Sequence, residues 1–238
     1  MRSVRTFLSE YLPAGSARRW IASGFYRNPL IFAAALMSSL NATKKLTGSF
    51  FPVQVRISCG QKFTVNCAKG ATARLSGVIF VANWGGANNP SSISCGSRAK
   101  LEISGDFDIG PGVHISIAED AILLLGGRDT SSASGITCNT RIMVEERVEI
   151  GADTIVAWDV FISDSDWHNI KGARRCSPVS IGSKVWISHG VSVLKGVSIP
   201  SGCIVGARSL VTGGKFTERS LIAGAPAMVC KENIEWSR

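Results

Sequence analysis

The feature that most constrains this chain is a period of six residues in its aliphatic side chains. From residue 179 onward, two columns of mostly β-branched side chains recur at every sixth position, two residues apart. The first column is Val179, Val185, Val191, Val197, Cys203 and Ser209, and the second is Ile181, Ile187, Val193, Ile199, Val205 and Val211. A helix repeats about every 3.6 residues and cannot hold such a register. Short strands recurring at this spacing indicate a parallel β-helix.

The same pattern extends upstream in two further blocks. The longer block has the columns Ile136, Ile142, Val148, Thr154, Val160 and Cys138, Val144, Ile150, Val156, Ile162, and the shorter one has Leu101, Phe107, Val113 and Ile103, Ile109, Ile115. A hairpin sheet would show turn residues roughly every 8–12 positions and longer alternating runs. We therefore predict coils that stack and bury these columns. Glycines at matching turn positions are expected to adopt positive φ: Gly110, Gly151, Gly182 and Gly206.

The segment His168–Ser177 interrupts the repeat. The interval from Ile162 to Ile181 is not a multiple of the period. The segment between them is polar and basic, with Gly172 and Pro178 at its end. Because loops on a rigid scaffold often carry functional residues, we predict a functional loop here, and a tolerated insertion is the alternative.

The net charge of +9 is unevenly distributed. Residues 1–100 hold 13 Lys/Arg and a single acid, Glu10, whereas residues 101–238 hold 13 Lys/Arg and 16 Asp/Glu. Such a basic half indicates an anionic neighbour, which is phospholipid, a lipid-linked sugar phosphate or an acidic glycan. Nucleic acid is not an expected partner, because no recognition-helix, zinc-finger or aromatic RNA-binding motif occurs.

The basic N-terminal segment, residues 1–55, is predicted to be helical. Its apolar run Pro29–Leu40 is too short to span a bilayer, and no secretory cleavage pattern follows it. Residues Arg18–Leu40 fit either an interfacial helix with basic flanks or a helix packed on the main domain. We expect a cytoplasmic protein, with peripheral contact at the inner face of an anionic membrane as the open alternative.

The chain has 7 cysteines, an odd number, and no CxxC spacing. This pattern argues against a disulfide framework or a zinc ribbon. The thiols are expected to be buried in a protein of a reducing compartment.

The run 178–229 resembles the hexapeptide-repeat acetyltransferases, which include galactoside and maltose acetyltransferases and O-acetyltransferases of surface polysaccharides. The matching pieces are Pro178-Val-x-Ile-Gly182, Val185-Trp186-Ile187, Leu194-Lys195-Gly196-Val197, Val205-Gly206-Ala207-x-Ser209-x-Val211 and Ala223-Gly224-Ala225-Pro226-Ala227. Upstream, Ile162-Ser-Asp164-Ser-Asp166-Trp167-His168 is similar to the active-site segment of that family, which ends in the catalytic histidine.

The resemblance implies a left-handed β-helix, an exception to the right-handed crossover rule, assembled as a homotrimer. Acetyl-CoA is then expected between adjacent subunits, with a sugar or lipid-linked glycan acceptor beside the loop. The chain divides into a basic segment 1–55, a β-helix domain 56–230 and a tail 231–238. The implied reaction is O-acetylation of a sugar in surface-polysaccharide biosynthesis. Serine or amino-sugar acetylation and a non-catalytic scaffold are the alternatives.

Acetyl transfer to a hydroxyl needs a base, an aligned thioester and donors for the developing oxyanion. A neutral imidazole suits the base role, and the resemblance assigns that role to His168 rather than His114 or His189. Candidates to orient its ring are backbone carbonyls and three carboxylates, those of Asp153, Asp164 and Asp166. The oxyanion donor is expected to be a backbone N–H near the turn Trp186–Gly190.

The resemblance places the acetyl-CoA contacts on the C-terminal coils. These contacts are Trp186, Ser188, Gly190, Ala207, Thr212, Gly224 and Pro226, with Lys215 and Lys231 as candidates for the nucleotide phosphates. Two residues depart from the family pattern: Ser188 replaces the usual Gly after Trp-Ile, and Met228 replaces the usual Lys or Arg after Pro-Ala. Both departures concern the details of cofactor contact rather than the class of enzyme.

A rival with the same fold is the γ-class carbonic anhydrase, which holds zinc with three histidines. The histidines of this chain, His114, His168 and His189, are far apart in the sequence, whereas those enzymes keep two ligands within a few residues. We therefore expect no metal. The serine acetyltransferases carry a long helical N-terminal domain that residues 1–50 do not resemble.

Overall fold

The computed structural model describes residues 28–83, 89–129 and 134–237. In these residues the chain forms one helix, α1 (Pro29–Thr47), followed by short strands in three sheets. Sheet A holds β1 (Val55–Ile57), β4 (Ile79–Val81), β7 (Phe107–Ile109), β10 (Gly135–Ile136), β13 (Ile155–Val156), β16 (Trp186–Ile187), β19 (Ile204–Val205), β21 (Leu221–Gly224) and β22 (Ala227–Lys231). Sheet B holds β2 (Phe63–Cys67), β5 (Ser91–Cys95), β8 (His114–Ile117), β11 (Arg141–Val144), β14 (Phe161–Ser163), β17 (Ser192–Val193) and β20 (Leu210–Val211). Sheet C holds β3 (Thr72–Leu75), β6 (Lys100–Ser104), β9 (Ile122–Gly126), β12 (Arg147–Ile150), β15 (Val179–Ile181) and β18 (Ser198–Ile199).

Successive strands visit sheets A, B and C in turn, so the chain winds around three sides. Up to β20, each strand pairs in parallel with strands one coil away; Ile187, for example, lies beside Val205. The last pair, β21 and β22, is antiparallel and closes the C-terminal end. This topology confirms the predicted all-β class, a parallel β-helix with a helical N-terminal segment. We call the edges between consecutive sheets corners AB, BC and CA.

The predicted columns form the core. Every member of the two columns from residue 179 onward is at most 2% exposed. In the upstream blocks, Cys138 is the exception, because it lies partly exposed at corner AB. The periodic positions therefore point inward along the axis, where they bury one another.

The prediction that the turn glycines adopt positive φ is wrong. None of the four glycines named for this role, Gly110, Gly151, Gly182 and Gly206, has a positive φ. Instead, a Cβ at Gly151 would lie 2.5 Å from the backbone nitrogen of Ser183, and one at Gly182 would lie 2.6 Å from that of Ser201. Close approach of neighbouring coils, rather than backbone conformation, requires glycine at these places.

Helix α1 caps the open end of the solenoid. The Asn28 side chain accepts hydrogen bonds from two amides of the first turn, and Gly48 (φ 79°) ends the helix. Its buried face is Phe32, Ala35, Ser39, Ala42, Thr43 and Leu46. The Ser39 and Thr43 hydroxyls accept from the backbone amides of Ile57 and Val55, both at 3.0 Å. These amides lie on the edge strand β1, so the helix satisfies groups that a bare edge would leave unpaired.

Of the two alternatives for the N-terminal segment, residues 29–47 take the packed position, and Arg18–Arg27 lie outside the described residues. In the described part of the chain, no helix combines the length and apolarity needed to cross a bilayer.

The expectation of uniformly buried thiols is corrected. Only Cys95 and Cys203 are buried; Cys67 and Cys230 are exposed, and the other three are partly exposed. Cys67 is exposed because it belongs to the first coil of the described residues.

Candidate active site

A loop of residues 164–177 leaves the solenoid at corner BC, between β14 and β15. Its neck is closed by backbone hydrogen bonds from Ser177 N to Asp164 O (2.8 Å) and from Asp166 N to Arg175 O (3.0 Å). The predicted excursion from the coil is confirmed, and it begins four residues before its predicted start. The paired neck makes the loop a rigid antiparallel projection at its base.

The coil before the loop holds it through the Asp164 carboxylate. This side chain is fully buried and accepts from the backbone amides of Glu145, Glu146 and Arg147 at 2.8, 2.7 and 2.6 Å. Burial raises the pKa of the Asp164 carboxyl, and the hydrogen bonds from the amides of Glu146 and Arg147 oppose that rise. Asp164 therefore joins the loop to the turn between β11 and β12, one coil earlier.

The coil after the loop holds it through Lys195. The Lys195 ammonium forms an ion pair with Asp166 and donates to the carbonyl oxygen of Arg174 at 2.5 Å. It thus contacts both sides of the neck. On the other side, Arg174 pairs with Glu146 at 2.9 Å, and Arg175 pairs with Glu145. The sequence analysis did not assign these ion pairs across coils, although Lys195 lies in the quoted Leu-Lys-Gly motif.

His168 lies beyond the neck, on the exposed part of the loop. The coil position that follows Ile162 is taken by Ile181, so His168 is not part of a buried column. The indole of Trp167, directly before it, donates to the Ser163 hydroxyl at 3.1 Å. Among the described residues, no hydrogen bond or ion pair involves the His168 ring, including with Asp164 or Asp166. The ring is therefore presented to solvent on a fixed stem.

Most of the predicted acetyl-CoA residues lie along corner AB. Ser188 and Gly190 lie there in one coil and Ala207 lies in the next. The hairpin between β21 and β22 places Gly224 and Pro226 directly after them. A Cβ at Gly206 would lie 2.9 Å from that of Ala223, which shows how closely these coils approach. We call the set Ser188, Gly190, Ala207, Gly224 and Pro226 the corner strip.

The turn at His189 in corner AB has an open amide. The amides of Ser188 and Gly190 donate to Val205 O and Trp158 O, both at 3.0 Å. In the described structure, the amide of His189 donates to no carbonyl or side chain. The His189 N–H lies within the turn Trp186–Gly190 that is expected to supply the oxyanion donor, and that role stays a prediction. The His189 ring stacks on the half-exposed Trp158 (centroids 5.5 Å apart) and lies 3.5 Å from the carboxylate of Asp159.

The remaining predicted contacts are dispersed. Thr212 and Lys215 follow β20 on sheet B, and Lys231 ends β22 at the edge of sheet A. Trp186 is 40% exposed on sheet A, and its ring centroid is 6.0 Å from that of Trp236.

A cavity of about 540 Å³ at corner CA was not predicted. Its lining includes Lys184, Gly202, Arg219 and Trp236. Lys184 and Arg219 occupy the same corner in different coils. The sequence did not show this, because their interval of 35 residues (219 − 184) is not a multiple of six. Glu235 also lines the cavity, so the lining includes two cations, one carboxylate and an indole. The cations and the indole suit a phosphorylated aromatic ligand. In the described part of the chain, no group of three His, Cys, Asp or Glu side chains is placed to hold a metal ion.

His168 and the corner strip lie at opposite edges of sheet B. Strand β17 runs between Gly190 at corner AB and Lys195 at corner BC. Five residues of extended chain at about 3.3 Å each span roughly 17 Å. A base must come within hydrogen-bond distance of the proton it removes.

Comparison with known proteins gives the following likenesses. The chain is 36% identical over 104 residues to WbbJ of Escherichia coli K12, named a lipopolysaccharide biosynthesis O-acetyl transferase, with 37% of this chain and 51% of WbbJ covered. It is 26% identical over 198 residues to galactoside O-acetyltransferase of the same organism, with 76% of this chain and 89% of that enzyme covered. Among solved structures, the polysialic acid-specific acetyltransferase NeuO is 25% identical, with 74% of this chain and 89% of NeuO covered and a TM-score of 0.43.

The two Escherichia coli relatives, both named as O-acetyltransferases, confirm the resemblance to hexapeptide-repeat acetyltransferases. The chain spans about half the length of WbbJ. No protein-family model matches the chain.

Proposed function

We propose that this protein transfers an acetyl group from acetyl-CoA to a sugar hydroxyl, with His168 as the general base. The observation that carries the proposal is the loop 164–177, a projection fastened to two coils that holds an exposed imidazole. A non-catalytic scaffold needs neither the loop nor its fastening. The relatives named O-acetyltransferases support acyl transfer as the chemistry.

The roles of the side chains follow from the reaction. The neutral His168 imidazole removes the proton of the attacking hydroxyl and later gives it to the departing thiolate. The open amide of His189 faces the carbonyl oxygen as negative charge develops on it, as an oxyanion donor must. In this proposal Asp164 and Asp166 position the loop rather than the imidazole, because their carboxylates are engaged with backbone amides and with Lys195.

We propose that acetyl-CoA lies along corner AB of the C-terminal coils. The corner strip presents small residues that let an extended chain approach the backbone. The Lys184 and Arg219 side chains and the Trp236 ring, at corner CA, fit the phosphates and the adenine. In this proposal the nucleotide end of the cofactor crosses sheet A to reach them from corner AB. Lys215 and Lys231 remain the further candidates for the phosphates.

The separation across sheet B supports a shared site. If His168 and the His189 amide serve one reaction, they must meet within a few ångströms, whereas in one chain a sheet separates them. We propose that the loop of one subunit reaches the corner strip of the next in a homotrimer. The acceptor then binds where the two meet.

We also propose a role at an anionic membrane for the outer face of α1. Leu30 and Met37 are 80% and 66% exposed there, and Lys44 and Lys45 lie in the last turn of the helix. Exposed apolar side chains with basic neighbours suit peripheral contact with the cytoplasmic leaflet. A lipid-linked glycan acceptor in surface-polysaccharide biosynthesis would be found at that leaflet.

The function is tested by acetyl-CoA turnover against a panel of acceptors, with release of the CoA thiol as the signal. The panel contains mono- and oligosaccharides, serine and amino sugars, and mass spectrometry identifies the product. His168→Ala should lower kcat by roughly 10²–10⁴ with little change in the KM for acetyl-CoA, the usual size for loss of a general base. The control is His114→Ala, an exposed histidine on β8, which should keep full activity. Full activity of His168→Ala would contradict the role of His168 as the base. Acetylation of serine or amino sugars alone would contradict a sugar hydroxyl as the acceptor.

A further inference from the structure

Two cysteines stack on each other at the N-terminal end of sheet B. In the register of β2 and β5, Cys67 lies directly beside Cys95, and Cys95 lies beside Ile117 of the next coil. All three belong to one inward column, in which Cys95 is 5% exposed. Cys67 heads the column and is open to solvent. The position therefore pairs an accessible thiol with a buried one.

A cavity of about 680 Å³ opens beside this pair. Its lining includes Cys67, Cys95, Asn66, Ser94 and the ammonium-bearing Lys45. Lys45 comes from the last turn of α1, and it is the charged side chain among the described lining residues. A small polar solute thus has access to the thiols next to a cation.

The electrostatics separate the roles of the two thiols. A hydrogen bond from Cys95 and the charge of Lys45 lower the pKa of Cys67 to about 7, although burial opposes them. The same hydrogen bond, together with burial and the charge of Cys67, raises the pKa of Cys95 far above its usual value. The thiolate is the reactive form of cysteine, so Cys67 is the nucleophile and Cys95 its neutral neighbour.

We propose that Cys67 and Cys95 form a redox-responsive pair, a modification site that small hydroperoxides oxidise to a disulfide. The Cys67 thiolate attacks the outer oxygen of ROOH; the O–O bond breaks, RO⁻ leaves and takes a proton, and Cys67 becomes a sulfenic acid. The Cys95 sulfur then attacks the Cys67 sulfur and releases the hydroxyl as water with the Cys95 proton. The net change is two thiols and ROOH to one disulfide, ROH and H2O.

The strand geometry permits the bond and makes it labile. Neighbouring strands lie about 4.8 Å apart, within the roughly 4.4–6.8 Å range of Cα separations in disulfides. Parallel side-chain directions keep the Cβ atoms near that same spacing, wider than the usual 3.5–4.5 Å or so. A bond made under such strain is easily reduced, as a reversible modification requires.

The first measurement is direct detection of the bond. The full-length protein is treated with hydrogen peroxide near stoichiometry, quenched with N-ethylmaleimide and digested with trypsin without reduction. Peptides 63–69 and 75–98 should appear cross-linked and should separate on treatment with a dithiol. Cys95→Ser should instead accumulate a dimedone-reactive sulfenic acid at Cys67, and Cys67→Ser should leave Cys95 unmodified. Cross-links from Cys67 that are spread equally over Cys95 and Cys230 would overturn the proposal.

The second measurement is the rate of alkylation of Cys67 against pH. At pH 7 about half of a thiol with a pKa near 7 is ionised, against about 3% for an ordinary cysteine. Its lower intrinsic nucleophilicity offsets part of that gain, so Cys67 should react about threefold faster than a cysteine in a short reference peptide. The rate should fall as the pH drops through 7. Lys45→Met should slow it, and Lys44→Met should not; equal effects of the two variants would contradict the assigned role of Lys45.

Discussion

Replacing Asp164 by asparagine tests whether the loop is fastened as the structure indicates. Asparagine matches the shape of aspartate but replaces one acceptor oxygen with an NH2 donor. The retained oxygen can serve the amide of Glu145, whereas the new NH2 would face the amides of Glu146 and Arg147. Donors would then face donors at two places in a site that is closed to solvent at Asp164.

The magnitude follows from those two lost bonds. Each unsatisfied buried donor costs about 1–3 kcal/mol. The turn at residues 145–147 is only partly buried, so water can reach part of it, and the lower half of the range applies. We expect Asp164→Asn to lower the free energy of unfolding by about 2–4 kcal/mol. For a chain of this size, such a loss lowers Tm by roughly 5–15 °C.

The assay combines urea unfolding with hydrogen exchange, because a solenoid transmits a defect mainly to neighbouring coils. Exchange should accelerate at the amides of residues 145–147 and in the neck of the loop, and remain unchanged near α1. The control is Asp120→Asn, an exposed carboxylate (62% exposed) that pairs with Arg98 and should leave the urea midpoint and the exchange pattern unchanged. A loss below about 1 kcal/mol for Asp164→Asn, or unchanged protection at residues 145–147, would refute the fastening.

Three further predictions concern assembly, the cap and the membrane. His168→Ala should be inactive, and so should Ala207→Trp, because Ala207 is exposed on the corner strip and an indole there would block it. When the two variants are mixed in equal amounts and allowed to exchange subunits, they should recover about a quarter of the wild-type rate if each site uses two chains. No activity should return if each site uses one chain. Ser39→Ala should cost about 1–2 kcal/mol in urea unfolding by leaving an amide of β1 without its acceptor, whereas the exposed neighbour Ser38→Ala should cost less than about 0.5 kcal/mol. The full chain should sediment with anionic vesicles at low salt, less at high salt and less as Met37→Ser; failure to sediment at low salt would leave α1 as a cap only.

The fold could be predicted because its core is periodic. In the C-terminal coils one turn takes three hexapeptides, as from Ile181 to Ile199, and the columns are visible in the sequence. Earlier coils are longer, as from Val65 to Ile93, so the added corner residues hide the same columns. The sequence does not decide between a packed helix and an interfacial one, because nothing in it shows that Ser39 and Thr43 face an edge strand.

The site was predictable only in part, for a related reason. His168 was found by resemblance, and its loop by the break in the repeat. Asp164 and Asp166, which are close to His168 in sequence, are two of the candidates to orient the imidazole. In the structure the Asp164 carboxylate contacts residues of a previous coil, and Asp166 contacts Lys195 of the next one. Contacts between coils depend on which corners stack, which the sequence shows only after the coil lengths are known.

Corner BC accommodates a loop at little cost to the core. Ile150, Ile181 and Ile199 remain in register in sheet C, although the chain leaves the coil between the first two. The neck brings the chain back to where it left, and closing a loop of this length costs entropy that grows only as the logarithm of its length. The aliphatic columns therefore determine the fold while the corners vary independently. In this protein the corners carry the imidazole, the open amide and the cations, so its chemistry should be sought by comparing corners across coils and across neighbouring subunits.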